Sequence, residues 1–319
     1  MTAIDPLATS IALCVYNRPL LTQQVLAALA EVRPRHILVI ADGPKQGLPG
    51  DRERCDAVID LIRSIDWPAA LEWNVSPVNL GIRRRLQSGL SWVFGRVKEV
   101  IVLEDDCVPH PTFFRFCVEL LDRYRDDPRI ALICGSNFQF DADCGPASYF
   151  FSRYPLIWGW AAWRRTWKHY DPDLDQWSKL RETSWLTDYL GDPLAAAYWR
   201  AVFDKVRAGF DTWDFQLTFS CWRADALAVQ PARNLVSNIG FGIDASFAQA
   251  ADSIFARIPL HEMQFPLIHP KSIERARNCD QRTETLSFST SPQEQLQRFR
   301  MARGADAAPE VWKPKTSPG

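Results

Sequence analysis

Residues 99–114 read EVIVLEDDCVPHPTFF. Val100 to Leu103 is a short, continuously apolar run, the pattern of a strand covered on both faces, and it ends on three carboxylates, Glu104, Asp105 and Asp106. Pro111 can then open a helix, with Phe113, Phe116, Cys117, Leu120 and Tyr124 on one face. Acids crowded at the tip of a core strand repel one another and lose hydration, so they need a compensating cation or hydrogen-bond donors. Mg²⁺ or Mn²⁺ meets that need: such an ion takes one or two carboxylates, fills its shell with water and phosphate oxygens, and neutralises a departing diphosphate. The alternative is an acidic cluster that favours the dipole of the following helix.

Working outward, similar runs occur at Ile11 to Tyr16, His36 to Ala41, Leu71 to Val75 and Ile130 to Cys134, alternating with helix-like segments such as LLTQQVLAALAE. This predicts an α/β fold with a Rossmann-like, mostly parallel sheet built from right-handed βαβ units. Ligands of such sheets bind beyond the carboxyl ends of the strands, so the residues after each strand matter most. A chain of 319 residues with 47% hydrophobic side chains can bury a core without disulfides or structural metal. With 37 basic and 38 acidic side chains the formal charge is −1, which argues against a nucleic-acid partner. The longest apolar runs are strand-sized, the N-terminal MTAIDPLATS carries no secretory signature, and the eight cysteines show no CxxC spacing. A cytoplasmic protein is expected.

From about Ser148 the composition changes. Nine of the thirteen tryptophans (158, 160, 163, 167, 177, 185, 199, 213 and 222) lie in this stretch, and helical patterns appear around Trp185 to Gly209. Three stretches are therefore expected, over 1–147, over 148–300 and, as a frayed tail, over 301–319. In SRYPLIWGWAAWRRTWKHYD, Trp160, Trp163 and Trp167 have the i, i+3, i+7 spacing of a helical stripe, which reads either as core or as a sugar-stacking platform. Gly159 hints at a close backbone approach. In AGFDTWDFQLTFSCWR, Asp211 and Asp214 share a face if the segment is helical, and the aromatic residues around them would raise a carboxylate's pKa toward that of a working base.

Five ordered segments resemble glycosyltransferases of the GT-A type and are similar to inverting family 2 enzymes and to N-acetylglucosaminyltransferase I. LCVYNRP, with Asn17 and Arg18, matches the first nucleotide-contacting loop. ILVIADG, with Asp42, matches the strand whose acid reads the base. VNLGIRRRLQSGL, with Asn79 and Gly81, matches the N-x-G turn that opens a helix; its Arg83, Arg84 and Arg85 read either as a solvated helix face or as offering one guanidinium, taken as Arg84, to the diphosphate.

Within the acidic motif the resemblance implies that Asp106 binds the metal and that Asp105, beside Glu104, contacts the nucleotide. WDFQLTF points to Asp214 as the base, with Asp211 as the alternative, although the second acid that often follows in this family is Phe215 here. Some enzymes of this type also recruit a C-terminal histidine as a metal ligand, which His269 in FPLIHPKS would supply; the alternative is a loop histidine bonded to backbone. Asp42-Gly43 also reads as a plain turn, Asn17 to Pro19 as a helix start, and Asp214 as a helix cap.

The activity implied is metal-dependent, inverting transfer of a sugar from a nucleotide-diphosphate donor, UDP-linked by resemblance, to a saccharide or glycolipid hydroxyl. The resemblance also implies nucleotide-sugar binding over 1–147 and acceptor binding with the catalytic base over 148–300. The enzyme could dock peripherally at the inner membrane surface. Loops at Asp42 to Arg54 and around Gly240 and Gly242 are expected to order on donor binding. Two rivals stand beside this reading. A sugar-nucleotide nucleotidyltransferase would want a glycine-rich loop after the first strand, where YNRPLL has none. A non-catalytic carbohydrate-binding protein would have no need of Glu104 to Asp106 together with Asp214.

Overall fold

The computed structural model describes residues 8–140, 142–242 and 253–288; the 301–319 tail and the first seven residues lie outside them. The first half runs β1 (Ile11–Val15), α1 (Pro19–Val32), β2 (His36–Ala41), α2 (Asp51–Arg63), β3 (Ala70–Val75), α3 (Ile82–Arg96), β4 (Glu99–Glu104), β5 (Cys107–Pro109), α4 (Pro111–Arg123) and β6 (Ile130–Cys134). It continues with β7 (Tyr149–Ser152), β8 (Trp160–Trp163), α5 (Arg164–Trp167), α6 (Trp177–Leu180), α7 (Trp185–Leu190) and α8 (Pro193–Arg207). The last described elements are α9 (Asp214–Arg223), β9 (Leu227–Pro231), β10 (Val236–Asn238) and α10 (Arg277–Ser287).

The expected α/β architecture forms. One eight-stranded sheet has the order β3-β2-β1-β4-β8-β6-β9-β7, and strands from both expected halves of the chain share it. The pairings β3·β2, β2·β1, β1·β4 and β6·β9 are parallel, whereas β8 lies antiparallel to both β4 and β6, and β7 antiparallel to β9. β1 shows why the runs are continuously apolar: Ile11, Leu13 and Val15 enter the core shared with α1, α2 and α4, while Ala12 and Cys14 enter the core shared with α3. Each fully buried side chain of this size contributes about 1.5–3 kcal/mol.

Local signals set the helix ends. Pro19 and Pro111 occupy the first turns of α1 and α4, and His110 caps α4 by accepting the Thr112 N–H. α1 stops at Arg33, which turns left-handed at φ 46° and donates its N–H to the Leu29 carbonyl.

Three expectations are corrected here. The tryptophan block is not a helical stripe. WAAW forms strand β8, buried on both faces, with Trp160 in one core and Trp163 in the other. A spacing of three suits a helix, but in a strand it places the two indoles on opposite faces. β8 also separates β4 from β6, so β6 does not extend the parallel set directly. Gly159, at φ 64°, packs against Val236, where a Cβ would lie 2.7 Å from the valine methyl. The loop after Asp42 ends at Gly50 and not at Arg54, because α2 begins at Asp51.

The chain winds from β1 outward to β3 and then returns to β4 on the other side of β1. The crevice between the carboxyl ends of β1 and β4 is therefore a topological switch point. There Cys14 is in register with Glu104, so the residues that follow each strand meet. The short β5–β10 ribbon then brings Asn238 opposite Cys107, beside the acids.

Candidate active site

A cavity of about 550 Å³ opens at this switch point. The structure brings Arg18, Asp42, Asn79, Gly81, Glu104, Asp105, Asp106, Asp211 and Asp214 to its lining.

The acids at the tip of β4 already have a partner. The Arg18 guanidinium donates to Asp105 Oδ1 through Nη2 and lies 3.0 Å from Asp106 Oδ2 through Nη1. Asp105 Oδ2 accepts the Tyr16 N–H at 3.3 Å. Burial, together with the charges of Asp106 and Asp105, pushes Glu104 well above the usual carboxylate range. Burial also raises Asp105, against the pull of Arg18. Burial works against the charge of Arg18, yet the adjoining Asp105 and Asp106 hold it more firmly protonated than usual.

Among the described residues Asp106 Oδ1 has two contacts, both long at 3.5 Å, from Cys107 Sγ and Asn238 Nδ2. Gly240 packs so closely that a Cβ there would sit 2.1 Å from Asp106 Oδ2. Among the described residues no three His, Cys, Asp or Glu side chains converge into a self-sufficient metal cage. The donor set therefore fits a hard divalent ion in a minimal way: Asp106 has lone pairs to give, and substrate phosphate and water would complete the shell.

Asp42 and Asn79, 37 residues apart, are bonded to each other. Asn79 Nδ2 donates to Asp42 Oδ2 at 3.0 Å, while Asp42 Oδ1 accepts the N–H groups of Gly43 and Leu80 at 2.9 Å each. Asp42 thus builds the turn that opens α3, and burial raises its pKa against these hydrogen bonds. Gly81 caps α3 at φ 75°.

Asp211 and Asp214 part company in the structure. Asp211 is exposed in the loop before α9 and accepts the Arg83 N–H at 2.9 Å, which satisfies a free donor in the first turn of α3. Asp214 is the first helical residue of α9, the cap position being Trp213. Its Oδ1 accepts from the Thr212 hydroxyl. Burial raises its pKa, with the Thr212 hydrogen bond acting in opposition, and its charge is felt at Glu104. The aromatic residues of the lining are Tyr16, Trp158, Phe210 and Trp213.

Three expected residues stand outside the lining. Asn17 turns away to donate to Asp51 Oδ1 at 2.5 Å. Arg84 is exposed on α3, whereas Arg85, one helical step on, is buried in the cavity wall and donates to the Asn74 carbonyl at 2.9 Å. His269 Nδ1 shares a 2.9 Å hydrogen bond with the Tyr149 hydroxyl, and its Nε2 faces Glu119 at 4.0 Å. Sequence reasoning overlooked Lys45, Thr212 and Asn238 in the lining. The signal for Arg85 was present, because it shares a buried face with Leu86, Gly89, Leu90 and Val93.

Asp51 anchors the loop that follows β2. It accepts hydrogen bonds from the Tyr16 hydroxyl, Asn17, the Lys45 N–H and Arg54. Burial pushes its pKa up, but these donors together bring it down to about 2. Measured from its ordinary value, that shift corresponds to roughly 2 kcal/mol. Because the folded value is depressed, this stabilisation is present above about pH 4 and fades as pH falls through about 2. Asp51→Ala, which also strands partly buried donors, is expected to lower stability by about 2–4 kcal/mol in urea unfolding at pH 7. A midpoint equal to wild type would remove Asp51 as the anchor.

No family model and no curated protein matches the sequence. Among solved structures, the chain is similar to S. aureus TarS 1-349 at 9% identity and a TM-score of 0.41, covering 72% of this chain and 59% of that one. It is also similar to the inositol-1-phosphate CTP transferase from T. maritima at 10% identity and TM-score 0.38, covering 75% and 91%. A third similarity is to UDP-glucose pyrophosphorylase complexed with UDP-glucose, at 8% identity and TM-score 0.27, covering 47% and 64%. The chain thus spans about three fifths of TarS 1-349 and under two thirds of the pyrophosphorylase. At TM-scores this low the functional reading rests on the cavity and not on these similarities.

Proposed function

We propose that the protein is a glycosyltransferase that moves a sugar from a nucleotide-diphosphate donor, UDP-linked by the resemblance above, to a saccharide or glycolipid hydroxyl. The observation that carries this reading is that the acids at the tip of β4 and the pKa-raised Asp214 open on one cavity at the sheet's switch point.

Each group then has a task. Arg18 supplies a fixed positive charge for the diphosphate, and the Asp42–Asn79 turn shapes the end that takes the nucleoside. Asp214 accepts the proton of the attacking hydroxyl in an inverting displacement, with Trp158 and Phe210 restricting water. A divalent ion at Asp106 would neutralise the leaving diphosphate as a Lewis acid.

The test is incubation with Mn²⁺ and a panel of nucleotide sugars. Release of nucleoside diphosphate is expected. Pyrophosphate exchange would replace this reading with nucleotidyl transfer, and silence across the panel with sugar binding intact would replace it with a carbohydrate-binding role.

The base also predicts a pH profile. Asp214 must be ionised to accept a proton, so its raised pKa places the acidic limb of kcat/KM above the ordinary aspartate range. Thr212→Val removes the hydroxyl that favours the ionised form, and should move that limb to higher pH. A limb that stays in place would take the base role away from Asp214.

A further inference from the structure

We infer that Arg18 acts as an exchangeable counter-cation: it holds the Asp105–Asp106 pair until the metal and donor arrive, then passes its charge to the diphosphate. The inference rests on the proposed nucleotide-diphosphate reading and concerns how that site loads.

One guanidinium bridges two consecutive carboxylates, donating to Asp105 and lying 3.0 Å from Asp106 Oδ2. Arginine cannot be neutralised at working pH, so its charge leaves the acids only if the side chain moves. A cation approaching Asp106 meets a carboxylate already paired and a like charge beside it. The two cations therefore compete for one anion, and the unloaded protein binds free metal weakly.

The backbone beneath Arg18 is suited to this exchange. Its carbonyl accepts both the N–H and the hydroxyl of Thr22, at 3.0 and 2.9 Å, and Pro19 follows at the start of α1. The attachment point is fixed while the long side chain, which lines the cavity, can swing from carboxylate to phosphate. Phosphate oxygens accept the same two-pronged donation that the carboxylates accept now. Metal and donor then load together, because each removes the obstacle to the other.

The experiment titrates Mn²⁺ alone into wild type, Arg18→Met and Arg18→Met/Asp106→Asn, following the signal of free Mn²⁺ by electron paramagnetic resonance. UDP binding in saturating Mn²⁺ is followed by calorimetry. Arg18→Met should bind Mn²⁺ roughly tenfold more tightly than wild type, lose that gain when Asp106 is also changed, and bind UDP roughly tenfold more weakly. Arg18→Lys, which keeps the charge but loses the fork, should fall between the two in both titrations and serves if the methionine variant melts early.

Unchanged or weaker Mn²⁺ binding in Arg18→Met overturns the inference, as does a gain that survives Asp106→Asn. UDP affinity that stays at the wild-type level overturns the transfer of charge to phosphate. The outcome is separable from that of the functional proposal. If the titrations behave as stated and no nucleotide sugar is turned over, the exchange stands and sugar transfer falls.

Discussion

Asp214→Asn is expected to reduce sugar transfer by roughly 10³-fold while leaving UDP affinity within about twofold of wild type. The amide keeps the size of the side chain and can still meet the Thr212 hydroxyl, but it has no basicity to accept a proton. Asp214 heads α9 in a setting where burial raises its pKa, on the wall of the cavity that faces the acids of β4 from another element. Asp211 is committed to the Arg83 N–H, and Asp105 to Arg18 and the Tyr16 N–H. Single-turnover measurement of donor consumption reads the effect. Near-normal turnover would move the base elsewhere, whereas a matching loss of UDP binding would make Asp214 a binding residue.

Asp106→Asn should be comparably severe, on the order of 10³-fold in turnover, with the Mn²⁺ dependence of the residual rate lost as well. The reason is that, among the described residues, Asp106 Oδ1 is met only by long contacts, both at 3.5 Å, which leaves its lone pairs open to an ion. Melting should change little, because the amide can still pack against Gly240 and the Ile239–Asp106 backbone hydrogen bond at 2.8 Å does not involve the side chain. Wild-type kinetics in this variant would remove the metal assignment. An unfolded variant would turn the question to Arg18→Met, where the same anion is probed by deleting its partner.

Much of the first half was legible in the sequence because strands covered on both faces leave runs that need no partner information to be recognised. β1, β2, β4 and β6 were found this way, and so was the placing of Arg18, Asp42 and Glu104 to Asp106 just beyond strand ends. β8 was not, because WAAW carries its indoles three apart and so imitates a helix; only the two cores on either side of it distinguish the cases.

Long-range relations were also hidden. Nothing local ties Asp42 to Asn79, or Asp211 to the start of α3, and both links turn expected ligand contacts into hydrogen bonds that shape the site. The arginine run, by contrast, had its phase in the apolar residues that follow it, Leu86, Leu90 and Val93, which put Arg85 and not Arg84 on the buried face. His269 looked available because it is polar and late in the chain, yet folding seats it against Tyr149 and Glu119.

Trp160 in β8 stacks on Trp213 with ring centroids 5.8 Å apart and planes inclined at 29°, and Trp213 immediately precedes Asp214. β8 is also hydrogen-bonded in register to β4, the strand that carries the acids. The spacing between Asp214 and the acids of β4 is thus gauged by two indoles inside the core. Under the proposed roles, trimming either ring would reset the reach between proton acceptor and departing diphosphate with every side chain named in the chemistry left unsubstituted. Rim loops could diverge to admit new acceptors without disturbing that gauge.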